Sequence, residues 1–477
     1  MRPMSRFQGV RAARFLVVLV LAACEPFGAS SPSGPQFVIP AEGTVLTEPT
    51  TLGASGEALD VVRFEVDDTV LFEDSVAPFE WTLDPADLGE GEHMLSIHAD
   101  SGDDTYSIST MVTVPGPGEE PPEPPETGPP PTGDPATDIA NLGAKRWYEI
   151  PNTRLDAVAP DPVPAPGHVG GVIGAWSGGA YDTKRDRLVV WGGGHGDYSG
   201  NEIYVFSMKT FQWSRITSPS SFGSDPNNTA DAPRHADGRP VSRHTYDYLE
   251  YIPPPVDRFF CAGGAGLWKS GQFGDEATYY FDFDALEWET LGVCPTSNTG
   301  NTTAVGADGL VWSHGMVNNK CRLASFDPST RAWTNHVFLG AWLSAERTAE
   351  IDPVENKYVM VGRGEVLVWD LDNPDQQHAS PATTGATEAE DLGHPGFTWD
   401  PVTKEILAWQ GGSTVYSYKV STAHWTAHST SGANTTPPSA AGTGTNGRWR
   451  YVPSLNVFVV VNRVTGNVFV YRHTSGG

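Results

Sequence analysis

Short apolar runs broken by polar turns recur along this chain, and from residue 180 onward they recur in a fixed order. An apolar segment leads to a turn that often reads Asp-Pro, then a Val-rich run, paired glycines, a second apolar run and a Trp. The fullest copy is Ala180-Tyr181-Asp182, Leu188-Val189-Val190-Trp191-Gly192-Gly193-Gly194, Ile203-Tyr204-Val205-Phe206 and Trp213. Others centre on Tyr358-Val359-Met360-Val361-Gly362, Ile406-Leu407-Ala408-Trp409-Gln410-Gly411-Gly412 and Val457-Phe458-Val459-Val460-Val461, with degenerate copies around Phe259-Phe260-Cys261-Ala262-Gly263-Gly264 and Leu310-Val311-Trp312. Runs this short, bounded by turn residues, predict strands. A period of about fifty residues holding four of them predicts small sheets that stack on one another, because one such sheet cannot cover both of its faces. The last copy ends after three strands. Arg146-Trp147-Tyr148-Glu149-Ile150-Pro151, upstream of the first copy, has the form of the outer strand Phe211-Gln212-Trp213-Ser214-Arg215-Ile216 and is predicted to complete it, removing an exposed edge.

These six copies resemble kelch-type repeats, the architecture that also carries galactose oxidase. The resemblance implies an all-β fold in which residues 137–477 form a six-bladed β-propeller whose last blade is closed by an N-terminal strand. It covers the blades and does not extend to a copper centre. Copper would need two tyrosines, two histidines and a cysteine cross-linked to one tyrosine, whereas Cys261 sits beside Phe259 and Phe260 like a core thiol and no Tyr is matched to His314 and His394. No metal signature is present and no cofactor is expected.

Upstream, Arg2, Arg6, Arg11 and Arg14 precede the apolar run Phe15-Leu16-Val17-Val18-Leu19-Val20, which is too short to span a bilayer and leads into Leu21-Ala22-Ala23-Cys24. Residues 1–24 resemble a bacterial lipoprotein signal with Cys24 as the lipidated residue, which implies an exported chain held to the outer membrane or cell surface by lipid alone. Residues 25–36 read as a flexible spacer. In residues 37–114, Val61-Val62-Arg63-Phe64-Glu65-Val66 and Met94-Leu95-Ser96-Ile97-His98-Ala99 alternate as half-buried strands do, which predicts a small β-sandwich. The pairing of Ala77-Pro78-Phe79-Glu80 with Leu88-Gly89-Glu90-Gly91-Glu92-His93 resembles bacterial Ig-like modules. Residues 115–136, with their Glu-Pro run, are expected to form a stiff polyproline linker.

Charge follows this division. Of the net −28, residues 37–136 contribute −21, so the acidity belongs mainly to the sandwich and linker. That balance speaks against a nucleic-acid partner and for a solvated stalk. Besides Cys24, the chain carries Cys261, Cys294 and Cys321, and Cys294 with Cys321 is the preferred disulfide because both flank the third repeat.

Two groups of residues depart from the repeat. Only the first copy carries the polar loop His195, Gly196, Asp197, Tyr198, Ser199, Gly200, Asn201 and Glu202, in which glycines bring backbone amides close to whatever the side chains hold. Its Asp and Asn can equally serve the loop's own backbone. The inner strands begin at Arg243-His244, Asn301, Arg347, His394 and Arg448, which places three arginines and two histidines around one mouth. Such a gathering is either an anion site or a set of internal pairs, with Glu346, Glu350, Asp247 and Glu202 available as partners.

The expected function is ligand binding at this mouth by a monomeric exported protein, with a glycan or other extracellular ligand as partner. Asp197, Asn201, Glu202, Arg243, Arg347, His394 and Arg448 are the expected contacts. One alternative is a polysaccharide lyase or hydrolase at the same mouth. A lyase would need a cation for a uronate carboxylate, Arg243 or Arg448, and a proton acceptor among His195, Tyr198, His244 and Tyr246. A second alternative is a protein-interaction module of the envelope.

Overall fold

The structure, a computed structural model, describes residues 35–40, 44–46, 49–56, 59–67, 69–101, 104–114, 131–164, 167–194, 196–221, 233–267, 276–296, 300–317, 320–339 and 346–475. The expected signal with Cys24, the spacer up to residue 34, most of the Pro/Glu-rich segment and His195 lie outside them. The chain is all-β; among the described residues its α-helices are the short Pro135–Ala140 and Gly171–Gly174. It divides into two compact units, Met1–Pro122 and Glu123–Gly477. No helix among the described residues is long and apolar enough to cross a membrane.

In the first unit, strands Gln36–Val38, Thr50–Ser55 and Phe79–Leu83 form one sheet. Thr44–Val45, Asp104–Val114, Gly91–Ser101, Val61–Val66 and Thr69–Asp74, in that order, form another. The alternation predicted for Val61–Val66 is present: Val62, Phe64 and Val66 are buried while the residues between them are partly exposed. Leu52, Phe79 and Leu83 of the first sheet share a core with Phe64, Leu95, Ile97 and Val112 of the second, so each sheet covers the apolar face of the other.

Among the described residues the second unit holds six sheets built on antiparallel strands, besides a two-stranded ribbon of Arg243–His244 with Ala265–Leu267; short strands Thr384–Gly385 and Ser431–Gly432 add in parallel to the edges of the fifth and sixth. The first runs Gly179–Asp182, Arg187–Val190, Tyr204–Ser207 and Gln212–Arg215. The second runs Leu249–Ile252, Arg258–Ala262, Ala277–Asp282 and Glu287–Val293. The third runs Thr302–Val305, Val311–Val317, Lys320–Asp327 and Ala332–Leu339. The fourth has three strands, Thr348–Asp352, Lys357–Gly362 and Glu365–Asp370, with Val368 bridging to Ala379. The fifth contains Gly396–Asp400, Glu405–Trp409, Thr414–Lys419 and His424–Ser429. In the sixth, Arg450–Val452, Val457–Val460 and Val468–Arg472 are joined by Arg146–Ile150, which pairs antiparallel to Val468–Arg472 from Ile150 opposite Val468 to Arg146 opposite Arg472. The first strands of successive sheets touch in order, and that of the sixth touches that of the first.

Turn chemistry explains the recurring Asp. The Asp352 carboxylate accepts from the backbone N–H groups of Val354 (2.8 Å) and Glu355 (3.1 Å), and Asp400 likewise accepts from Val402 (2.9 Å). The residue before the second strand is left-handed in five sheets, at Asp186, Asp257, Asn356, Lys404 and Asn456. The outer tryptophans reach back to the preceding sheet. Trp288 lies 4.9 Å from Trp191, Trp333 donates to Thr278 Oγ1 at 2.8 Å, and Trp147 packs 4.8 Å from Trp409 and donates to Thr430 Oγ1. These indoles thus fill apolar space between sheets, and the N–H groups of Trp333 and Trp147 find acceptors there.

Cys294 and Cys321 are both buried thiols and are not joined, which corrects the disulfide expected between them. Cys294 follows the outer strand of the second sheet, where its Sγ is 3.3 Å from Thr296 Oγ1. Cys321 lies within the third strand of the third sheet, opposite Met316 and Leu339.

Candidate functional site

The residues that depart from the repeat meet at the end of the ring where the first strands begin, but most are committed to the protein itself. Arg448, fully buried, donates from Nε to Val461 O (2.9 Å), from Nη2 to Gly444 O (2.7 Å) and from Nη1 to Ser177 O. Its acceptors among the described residues are neutral carbonyls, and burial lowers its pKa to about 9. Arg243 donates to Val241 O, Gly263 O and Pro233 O at 3.1–3.2 Å and lies over the rings of Trp191 and Tyr279. Arg347 pairs with Glu365. Arg243 and Arg448 thus tie loops together through carbonyls and Arg347 has a carboxylate beside it, the internal engagement that stood as the alternative to an anion site.

The polar loop behaves similarly. Glu202 Oε1 accepts from the hydroxyls of Tyr198 (2.5 Å) and Tyr204 (2.6 Å), and burial raises both phenols, with Glu202's charge adding to the effect. Asn201 donates to Ser220 Oγ and Pro240 O and accepts from Ser220 N. Tyr198, Asn201 and Glu202 therefore hold the loop, while the Asp197 carboxylate turns toward His244.

Asp197 leads to the group that the structure does bring together. Its Oδ2 is 3.4 Å from His244 Nε2, and His244 Nδ1 is 3.4 Å from the Tyr246 hydroxyl. Trp176 lies 4.9 Å from the His244 ring, and Tyr246 lies 5.8 Å from His244 on one side and 5.8 Å from His394 on the other. The histidines and Tyr246 are buried, while Trp176 is partly exposed. Trp176, Tyr246 and His394 all have positive φ, +47°, +38° and +51°, a conformation that costs side-chain-bearing residues and concentrates where geometry is held for a purpose. Two glycines make room. At Gly194 a Cβ would lie 1.8 Å from His244 Cδ2, and at Gly444 it would lie 2.3 Å from His394 Cβ. His394 Nδ1 is buried without a hydrogen-bond partner. Burial lowers the His394 pKa to about 4, helped by the charge of Arg363, while burial raises Tyr246 to about 12.

Residues adjoining this cluster in the chain line a cavity of about 550 Å³, whose lining includes Asp156, His168, Val169 and Gly174 together with Thr443, Asn462, Arg463 and Val464. It adjoins the cluster through the chain: Gly174 stands two residues before Trp176, and Thr443 stands next to Gly444, which packs on His394. Thr443 Oγ1 and Asn462 Oδ1 are buried there without hydrogen-bond partners.

Among the first strands, Asp247, Glu250 and Glu350 surround Arg450. Arg450 donates to Gly179 O, Gly447 O and Leu249 O and lies 3.5 Å from Glu250 Oε1. Asp247 accepts from Ala349 N, Glu250 from Thr303 Oγ1, and Glu350 from Ile351 N, Thr398 Oγ1 and Trp399 N, so the first strands are laced together across the ring. Sequence reasoning missed Trp176, Glu250, Arg450 and the cavity. Trp176 precedes the first repeat and has no counterpart in the alignment of copies; Glu250 and Arg450 lie within strands, where the repeat suggested packing alone.

No protein-family model matches the chain, and no curated protein matches it. Among solved structures, it is similar to fibronectin(III)-like modules of Clostridium thermocellum CbhA, at 24% identity over 17% of this chain and 96% of that one, with a TM-score of 0.15. It is also similar to the endo-beta-1,4-mannanase from Thermotoga petrophila, at 19% identity over 17% of this chain and 19% of that one, with a TM-score of 0.15.

Proposed function

We propose that the second unit is a six-bladed kelch-type β-propeller that binds a saccharide chain at one end of its ring, and that an Ig-like module and a lipidated Cys24 present it outside the cell. Support for the ring comes from six sheets whose first strands touch in cyclic order and from the N-terminal strand that completes the sixth.

The observation that carries the binding reading is the cavity. Its volume of about 550 Å³ lies within the range of about 300–1,000 Å³ usual for small-ligand sites. Val169, Ala441 and Val464 supply apolar wall, while His168, Thr443, Asn462 and Arg463 supply hydrogen-bonding groups. A sugar ring has the same mixed character, with C–H faces and hydroxyl edges. Leaving a buried acceptor unpaired costs about 1–3 kcal/mol, and a ligand hydroxyl donating to Asn462 Oδ1 or Thr443 Oγ1 would recover it.

The test is binding of the whole exported chain to a glycan array, repeated with Asn462→Ala combined with Arg463→Ala. The expected outcome is selective binding that weakens at least about tenfold, equivalent to about 1.4 kcal/mol, with an unchanged unfolding temperature. Binding that persists at parental strength in the double variant would remove the cavity from the site.

A further inference from the structure

Adjoining the cavity through Gly174 and Thr443, the Asp197, His244, Tyr246 and His394 cluster is more than a saccharide-binding wall requires. His394 presents a buried nitrogen with no partner, across a 5.8 Å ring-to-ring contact from a phenol that lies 3.4 Å from a second histidine, which in turn lies 3.4 Å from a carboxylate. Tyr246 and His394 are both held on backbone at positive φ, an unfavourable conformation. From this geometry we infer that the protein cleaves a uronate-containing polysaccharide by β-elimination, with His394 Nδ1 as the base and the Tyr246 hydroxyl as the acid. The inference rests on the saccharide-binding reading.

The step balances within the cluster and the substrate. His394 Nδ1 takes the proton from the carbon α to the uronate carboxylate. That electron pair becomes a carbon–carbon double bond, the β carbon–oxygen bond breaks, and the leaving oxygen takes the Tyr246 phenolic proton. Asp197 stabilises the protonated form of His244, whose Nδ1 returns a proton to the phenolate and takes one back from solvent, while His394 releases its proton to solvent. Environments that push an imidazole down and a phenol up leave a neutral base beside a protonated acid at neutral pH, the division of labour this step needs.

Removal of the α proton also needs a cation at the substrate carboxylate. Arg363, on the turn between the second and third strands of the fourth sheet, is half-exposed, pairs with the equally exposed Glu346 at 3.2 Å and lies near enough for its charge to act on His394; a uronate carboxylate would take the place of Glu346. Hydrolysis fits less well. It calls for two carboxyl groups flanking the scissile bond, and Asp156 is the one carboxylate lining the cavity among the described residues.

The test incubates the full chain with polymers of galacturonate, glucuronate and mixed mannuronate and guluronate, following the ultraviolet absorbance of the conjugated product and, separately, retention of each polymer. One polymer is expected to be retained and to give rising absorbance. Tyr246→Phe and His394→Gln are expected to lower that rate at least about 100-fold, the scale of a lost general acid or base, while still retaining the polymer, which shows that they fold. Asp197→Asn, which acts through His244, is expected to lower kcat with KM unchanged. Retention without absorbance across the panel, or undiminished rates in Tyr246→Phe and His394→Gln, overturns the elimination chemistry alone. Retention of no polymer overturns the binding reading and the inference with it.

Discussion

At the scale of residues, the buried charges divide by what neutralises them. Arg448 is satisfied by carbonyls, whereas Arg450 is surrounded by three carboxylates, an excess of negative charge that burial resists. Glu250 bears the consequence. Burial, opposed by the charge of Arg450 and reinforced by that of Glu350, raises its carboxyl to about 7 against an ordinary 4.5. The folded state thus holds this proton more tightly than the unfolded chain does. Its contribution to stability is complete below about 4.5 and is lost as pH rises through about 7. Glu250→Gln is expected to flatten the decline of unfolding temperature across that interval, as followed by circular dichroism; a slope equal to the parent's would show that the proton resides elsewhere. The sequence marked Arg243, Arg347 and Arg448 as unusual, yet it could not show what they bind. Arg448 and Ser177 meet only because the ring brings the sixth sheet against the first.

At the scale of elements, the legible features were those set by local rules. Asp side chains that accept from the next turn, glycines where a Cβ has no room, and β-branched runs that pack on a pleated surface all leave marks in the sequence. The outer strand Arg146–Ile150 was legible for the same reason, since its Trp147 follows the pattern of the other outer strands. That indole is fully buried among Trp409, Trp449 and Tyr471. Trp147→Ala is expected to cost about 3–5 kcal/mol, as truncation of a buried aromatic generally does, measured by denaturant unfolding. A loss below about 1 kcal/mol, the size of an ordinary substitution, would mean that the strand contributes little to holding the sixth sheet. The small ribbon of Arg243–His244 with Ala265–Leu267 was not anticipated, because two-residue strands carry too few side chains to show a period.

At the scale of the whole molecule, the address and the site depend on different information. The proposed export and lipidation rest on a contiguous stretch around Cys24. On expression in a bacterial host, the parental chain is expected to partition into a detergent phase and Cys24→Ala into the aqueous phase; equal partition of the two would refute the anchor. The cavity and the cluster adjoining it have no such local record. Asp197, His244, Tyr246 and His394 come from three sheets and their loops, and the cavity joins residue 168 to residue 463. The sequence by itself determined the all-β class, the repeat, the strand that completes the sixth sheet and the candidates His244, Tyr246 and His394, because periodicity and turn chemistry act over a few residues. Only the tertiary structure decided that Arg243 and Arg448 are internal struts, that Asn201 and Glu202 serve their own loop, and that His394 keeps an unpartnered nitrogen beside Tyr246. Those outcomes depend on which distant carbonyl or hydroxyl arrives within hydrogen-bond reach.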